Sequence, residues 1–124
     1  MRSFRLSTVP AGLVLAAGLL LSGCANTPKD ITTGWTPEKL YNEARDEANS
    51  GAWDKAIGYY EKLEGRAAGT ALAQQAQLDK AYAQFKTGDK IQAIATLERF
   101  IRLHPASPAL DYALYLKGLV NFND

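Results

Sequence analysis

The sequence has very few of the residues that support disulfide bonds, metal sites or nucleic-acid recognition. It contains one Cys and one His in 124 residues. A disulfide within the chain is therefore excluded, as is a zinc site built from Cys and His. Lys and Arg number 14 against 13 Asp and Glu, whereas nucleic-acid-binding proteins usually carry a basic stripe or an excess of positive charge. We expect no nucleic-acid partner, and the length allows one domain at most.

No arrangement of residues typical of catalysis is present. The single histidine, His104, precedes a proline at the end of a predicted helix, where a contact with the helix dipole or a solvated turn is the ordinary role. The clustered acids of the first predicted helix are typical of a solvated face. No glycine-rich stretch is followed by the Gly-Lys-Ser/Thr of a phosphate-binding loop. We therefore expect no enzyme activity, no cofactor and no metal.

The first 23 residues have the pattern of a secretory signal. Arg2 and Arg5 precede an uncharged run of about 13 residues that extends from Val9 to Leu21. A bilayer-spanning helix needs roughly 20 apolar residues, so the run is too short to be one. A charged start, a short apolar run and then small residues indicate a signal peptide over residues 1–23.

The end of this run, Leu21–Cys24 with the sequence Leu-Ser-Gly-Cys, resembles the lipobox of bacterial lipoproteins. The resemblance implies transfer of diacylglycerol to the Cys24 sulfur, cleavage before Cys24, and acylation of the new amino group, commonly as palmitate. Several acyl chains hold a protein at a membrane far better than one. Ala25 replaces the Asp that commonly retains such lipoproteins at the inner membrane, which favours the outer membrane. The alternatives are an ordinary signal peptide with an incidental Cys, or a short membrane anchor.

Residues 24–35 are predicted to form a flexible tether between the lipid and a folded region. The stretch is polar and rich in small residues, and Ile31 is its only aliphatic residue larger than Ala. Such composition is typical of linkers.

A period of 37 residues organises the chain from residue 36 onward. Residues 37 apart include these sets: Gly51 and Gly88, Ala56 and Ala93, Ala44 and Ala81, and Tyr41, Leu78 and Tyr115. Small residues at a fixed phase indicate places where two helices approach closely, and each unit has the pattern of two helices joined by a Gly turn. The pattern resembles the tetratricopeptide repeat, whose usual period is 34. We therefore predict an all-α fold of about two and a half tetratricopeptide-like repeats, an α-solenoid.

Five helices follow from capping residues and helical periodicity. Thr36 and Pro37 predict the first N-terminus. Gly51 predicts a left-handed turn after the first helix, and Gly88 predicts the end of the third. The predicted ranges are 37–49, 53–64, 70–87, 90–104 and 108 to the end. The side chains expected to face inward are Leu40, Tyr41, Ala44 and Ala48; Trp53, Ala56, Ile57, Tyr60 and Leu63; Leu78, Ala81, Tyr82 and Phe85; and Ile91, Ile94, Leu97 and Ile101.

Several stretches of the second half are similar to the N-terminal half of the BamD family of outer-membrane lipoproteins. They are Gln74–Asp79, Arg99–Pro105, Asp111-Tyr112 with Tyr115, and Gly118-Leu119. The resemblance implies a scaffold of the β-barrel assembly machinery that faces the periplasm. Its implied partners are the barrel-forming subunit, other assembly lipoproteins and unfolded outer-membrane proteins. One departure is Arg66-Ala67-Ala68, where the family usually has an Arg-aromatic-Pro stretch. Since the family has five repeats, we expect residues 36–124 to be a C-terminally truncated repeat region.

A peptide groove is expected on the first helix of each unit, because stacked helix pairs curve and these helices line the concave side. Tyrosine offers contact area at small entropic cost and arginine can hold a carboxylate, which suits an extended peptide with aromatic side chains and a free C-terminus. The alternative is that the tyrosines pack between helices, a role favoured for Tyr41 and Tyr115. Trp53 is expected in the core. The groove candidates are Tyr41, Arg45, Gln75, Tyr82, Tyr112 and Tyr115.

Two other functions remain open from the sequence alone. The chain could be a general lipoprotein repeat module of the cell envelope that binds peptidoglycan or a division protein. It could also be an enzyme subunit, such as a muramidase partner, with the active site beyond residue 124.

Overall fold

The structure is a computed structural model that describes residues 27–122. The chain divides into two units, Met1–Ile31 and Thr32–Asp124. In the first unit the described residues 27–31 are exposed and form no helix or strand. The predicted signal peptide over residues 1–23 and the predicted lipid site at Cys24 lie outside the described residues.

The second unit consists of five helices, and no strand occurs between residues 27 and 122. All predicted helix ends that the structure describes agree with it within two residues. The helices are α1 Pro37–Asn49, α2 Trp53–Arg66, α3 Ala71–Lys86, α4 Lys90–Leu103 and α5 Leu110–Phe122. None of these described helices has the length and apolarity that crossing a bilayer requires.

Local signals place the helix ends. The Thr36 hydroxyl accepts a hydrogen bond of 3.2 Å from the backbone N–H three residues later, and Thr70 and Asp89 cap α3 and α4 in the same way. Such caps satisfy N–H groups that have no partner within the helix. Gly51 and Gly88 have φ angles of +83° and +84°, the left-handed region that glycine enters without steric cost. The predicted N-cap at Thr36, the left-handed turn at Gly51 and the end of the third helix at Gly88 are confirmed.

The helices are arranged in two layers. Each helix packs against the next one along the chain, and in addition α1 contacts α3 and α3 contacts α5. The first helices of the units therefore form one layer, and α2 and α4 form the other. Residues 37 apart occupy equivalent buried positions: Ala44 and Ala81, Ala56 and Ala93, Tyr60 and Leu97, Leu63 and Phe100, and Ala76 and Ala113. The predicted all-α repeat architecture is confirmed.

Not every predicted core residue is buried. Ile91, in the first turn of α4, is 80% exposed, because the buried face of α4 is formed by Ala93, Leu97 and Phe100. Trp53 is half-buried rather than part of the core. It is the first residue of α2, and its ring lies against that of Tyr82 on α3.

A nearly buried ion pair joins α2 to α3. Lys80 Nζ lies 2.8 Å from Glu64 Oε1, and their side chains are 10% and 18% exposed. Removing one partner of such a pair leaves an uncompensated charge in a poorly solvated place, which is costly. The pair therefore links α2 to α3 at a poorly solvated position.

The folded unit begins at Thr32, four residues before the boundary expected at residue 36. Thr32 is fully buried, and Trp35 packs against the hydrophobic cluster of the first repeat. The last four residues of the expected tether are thus held by the repeat region.

Candidate functional site

A cavity of about 350 Å³ opens on the layer formed by α1, α3 and α5, with α2 contributing at one side. The helical spacing explains its composition, since residues three or four apart share a face. Tyr41 and Arg45 lie one turn apart on α1, and Asp79 and Tyr82 do so on α3. The lining residues are Tyr41, Arg45, Ala48, Asn49, Trp53, Tyr60, Asp79, Tyr82 and Tyr112.

Asp79 is the polar centre of the cavity. The Tyr41 hydroxyl donates a hydrogen bond of 2.8 Å to Asp79 Oδ2, and Gln75 Nε2 donates one of 3.0 Å to Oδ1. Each carboxylate oxygen therefore has a donor. The Arg45 guanidinium lies 5.8 Å from the centre of the Tyr41 ring, a distance at which a cation is attracted to an aromatic face. These contacts hold the Tyr41 ring in place between α1 and α3.

Burial controls the ionisation of these groups. Burial raises the pKa of Asp79, although the hydrogen bonds from Tyr41 and Gln75 and the charge of Arg45 oppose the rise. Burial, reinforced by the hydrogen bond to Asp79, raises the pKa of Tyr41 to about 12. The pKa of Tyr60 is also raised, by burial first and then by the negative charge of Asp79. The phenols of Tyr41 and Tyr60 consequently remain protonated at neutral pH, as the Tyr41–Asp79 hydrogen bond requires.

Aromatic rings form the more exposed part of the cavity. Trp53 meets Tyr82 edge to face, with ring centres 5.9 Å apart and an interplanar angle of 79°, and Lys86 Nζ lies 5.8 Å from the Trp53 ring. Tyr112 of α5 is 44% exposed at the rim. Such rings offer large apolar areas together with polar tips. The cavity can therefore contact aromatic and apolar groups of a ligand while Arg45 attracts an anion.

The structure brings four of the six predicted groove residues to the cavity, namely Tyr41, Arg45, Tyr82 and Tyr112. Gln75 lies beside it and acts on it through Asp79. Tyr115 does not line the cavity; it is 65% exposed. Its ring centre lies 6.5 Å from that of Tyr112. Tyr41 also packs between helices, since its ring centre is 6.1 Å from that of Tyr60.

Five lining residues were not predicted as groove residues: Asp79, Tyr60, Trp53, Ala48 and Asn49. Asp79 carries the clearest signal in retrospect. It lies in α3, the helix that packs against both α2 and α4, within a stretch where most neighbours are buried. A carboxylate among buried neighbours needs hydrogen-bond donors. Gln75, one turn earlier on α3, is such a donor.

Between residues 27 and 122, no three His, Cys, Asp or Glu side chains come together in a way that could hold a metal ion. His104 lies at the end of α4, with its ring centre 5.1 Å from that of Phe100, and it does not line the aromatic cavity.

Comparison with known proteins agrees with this architecture. A tetratricopeptide repeat family model matches residues 28–124. The outer membrane protein assembly factor BamD of Neisseria gonorrhoeae is 50% identical over 119 residues, which are 96% of this chain and 44% of that protein. BamD of Neisseria meningitidis serogroup B is 50% identical over 117 residues, 90% of this chain and 44% of that protein. BamD of Vibrio cholerae is 40% identical over 107 residues, 86% of this chain and 44% of that protein.

The chain spans less than half the length of these relatives and matches their N-terminal portion. The similarity to BamD that the motifs indicate is confirmed. Together with the five helices and their repeating buried positions, the match over residues 28–124 establishes that the chain belongs to the tetratricopeptide repeat family.

Proposed function

We propose that the chain is a scaffold of the outer-membrane β-barrel assembly machinery that receives unfolded outer-membrane proteins in the aromatic cavity. Relatives that are 40–50% identical bear the name outer membrane protein assembly factor, which supports the assignment to this process. The proposed partners are the barrel-forming subunit, other assembly lipoproteins and the unfolded substrates. The scaffold is non-enzymatic in this proposal, so its contribution is to bind and position.

The observation that carries the substrate proposal is the aromatic lining of the cavity on the layer formed by α1, α3 and α5. Strands of outer-membrane barrels carry aromatic residues at both membrane interfaces, so an unfolded barrel chain offers rings at intervals. Trp53, Tyr82 and Tyr112 offer exposed or half-buried aromatic surface to such rings. Arg45 lies at the same cavity and suits a carboxylate of the incoming chain.

Membrane attachment completes the proposal. The signal peptide over residues 1–23 is removed, Cys24 is lipidated, and the repeat region faces the periplasm from the outer membrane. Mass spectrometry of the mature N-terminus tests this part, with Cys24→Ser as the matched control. A lipid-modified Cys24 at the new N-terminus is expected, and an unmodified one refutes the anchor.

Site-specific photocrosslinking tests the substrate site. A photoreactive phenylalanine analogue at Tyr112, on the cavity rim, is expected to capture nascent outer-membrane proteins in cells. The same analogue at Ile91 is the control, since Ile91 is exposed on α4 and does not line the cavity. Equal capture at both positions, or none at Tyr112, contradicts the proposal. Co-purification with cell-wall fragments or a division protein, without any barrel-assembly subunit, supports the envelope-module alternative instead.

A further inference from the structure

The segment that precedes α1 is held by a fork from the last turn of α2. Arg66 Nη1 donates a hydrogen bond of 2.7 Å to the Thr32 backbone carbonyl, and Arg66 Nη2 donates one of 2.8 Å to Thr32 Oγ1. Lys62 Nζ lies 3.4 Å from the same hydroxyl oxygen. Thr32 is fully buried. A guanidinium that binds two oxygens of one residue fixes both its position and its orientation.

A second set of contacts holds the segment three residues later. The Trp35 backbone N–H donates to the Thr32 carbonyl at 3.0 Å. The Trp35 ring stacks on Tyr59 of α2, with ring centres 5.8 Å apart and an interplanar angle of 27°. Lys39 Nζ lies 4.3 Å from the Trp35 ring centre. The turn from Thr32 to Trp35 is thus attached to α2 at both of its ends, and we call this arrangement the Arg66 clamp.

The clamp lies outside the repeat pattern. The helices of the repeat begin with the Thr36 cap, and the two residues that the clamp holds, Thr32 and Trp35, precede that cap. Arg66 lies in the last turn of α2, and Arg102 lies in the last turn of α4. Of these two arginines, only Arg66 binds a buried threonine that precedes the repeat. The burial of Thr32 therefore serves to attach the preceding chain to the first helix pair.

We propose that the Arg66 clamp sets how far the cavity can move from the membrane. The inference depends on the lipid anchor at Cys24 proposed above. A chain held first at Thr32 leaves eight Cα–Cα steps from Cys24, which span at most about 29 Å when fully extended. A chain held first at the Thr36 cap leaves twelve steps, or at most about 43 Å. The clamp therefore removes about 14 Å of reach and keeps the cavity close to partners in the bilayer.

Trp35 fluorescence tests the clamp itself, without any membrane. Trp53→Phe in the chain of 124 residues leaves Trp35 as the single tryptophan of that chain. Arg66→Ala is expected to raise acrylamide quenching of Trp35 toward that of the urea-unfolded chain. Thr32→Val, which keeps the side-chain shape and removes the hydroxyl acceptor, is expected to raise it less. Arg102→Ala is the matched control and should change nothing. Unchanged quenching in Arg66→Ala, with helicity intact, overturns the clamp.

Energy transfer in vesicles tests the reach. The lipidated protein carries a donor dye at an exposed position of α4, introduced as Ala95→Cys, and sits in vesicles of phosphatidylethanolamine and phosphatidylglycerol with acceptor-labelled headgroups. Arg66→Ala is expected to lower the transfer efficiency, as added reach of up to about 14 Å predicts, and Arg102→Ala is expected to leave it unchanged.

The two proposals fail in distinguishable ways. A lipidated protein whose transfer efficiency does not respond to Arg66→Ala overturns the reach while the anchor stands. An N-terminus that mass spectrometry shows to be unlipidated overturns the anchor, and the reach with it.

Discussion

The hydrogen bond between Tyr41 and Asp79 joins α1 to α3 across the cavity, and a double-mutant cycle measures it. The variants are Tyr41→Phe, Asp79→Ala and the two together. Tyr41→Phe removes the hydroxyl donor and keeps the ring. Asp79→Ala removes the acceptor and introduces no new hydrogen-bonding group, as a valid cycle requires.

The size of the coupling follows from the geometry. A hydrogen bond to a charged group contributes about 1.5–3 kcal/mol to stability. The Tyr41–Asp79 bond is short, at 2.8 Å, and partly buried. Because Tyr41 is only half-buried, water can replace part of the lost interaction, and we expect a coupling energy of about 1–2 kcal/mol.

Urea unfolding followed by far-ultraviolet circular dichroism at neutral pH supplies the free energies for the cycle. Tyr59→Phe is the matched control, because Tyr59 stacks on Trp35 and does not line the cavity. Its effect should be additive with that of Asp79→Ala. A coupling below about 0.3 kcal/mol lies within the additivity expected of independent sites. Such a value refutes the claim that this hydrogen bond ties α1 to α3.

The pH dependence gives a second test of Asp79. Burial raises its pKa in the folded chain above the value of the unfolded chain, so the folded state binds the proton more tightly. The part of the free energy of unfolding that depends on Asp79 protonation is therefore largest at low pH. It is lost as the pH rises through the folded pKa of Asp79. Asp79→Asn should remove this part of the pH dependence. An unchanged profile contradicts the assignment.

Three further predictions concern stability at alkaline pH, the Lys80–Glu64 ion pair and two glycines, one in a turn and one in a helix. Because the Tyr41 pKa rises from 10.0 to about 12, the protonated Tyr41 phenol stabilises the fold below pH 10, and this stabilisation is lost toward pH 12. Tyr41→Phe should therefore reduce the change in the free energy of urea unfolding between pH 10 and pH 12. Lys80→Met leaves the Glu64 carboxylate without its cation and should cost about 2–4 kcal/mol in urea unfolding. Gly88→Ala should cost about 1–2 kcal/mol, whereas Gly58→Ala, in a helix interior with nothing within 4 Å of an added Cβ, should gain about 0.5–1 kcal/mol in the same assay.

Local rules explain why the helices were predictable. The signals that delimit them act within one turn: a threonine before a proline starts α1, and a glycine with positive φ follows α1 and α3. The 37-residue period indicated which helices pack together. If the units stack, Ala44 and Ala81 must lie at equivalent positions of two helix interfaces. Side-chain caps mark the starts of α1, α3 and α4, and the period relates the first helix pair to the second. The fold class was therefore accessible from the sequence.

The N-terminal boundary was not accessible in the same way. Residues 24–35 have the composition of a linker, and composition cannot indicate that Thr32 is buried. Thr32 is held by Arg66, 34 residues later. Trp35, in the same segment, is held by stacking on Tyr59 of α2. Tertiary contacts of this kind override a local preference for disorder, because two charge-assisted hydrogen bonds compensate the buried polar groups.

The site was predicted in part for the same reason. The expectation that the first helix of each unit lines the groove identifies Tyr41, Tyr82 and Tyr112. It requires only the position of the helix and the face on which each residue lies. It does not find Trp53, which begins a second helix, or Asp79, whose role depends on a donor 38 residues earlier.

The hydrogen bond from Tyr41 to Asp79 gives the cavity a defined shape. The stacked helices meet through small buried residues such as Ala44 and Ala81, which allow close approach but do little to fix one helix along the axis of another. A hydrogen bond from α1 to a carboxylate on α3 is directional and supplies the register that alanine contacts lack. Its separation of 38 residues is one repeat period plus one position, so it links equivalent turns of successive units. The spacing of the aromatic rings that a bound chain would meet is therefore set by a polar contact, and loss of that contact should weaken binding at Tyr112 without unfolding the repeats.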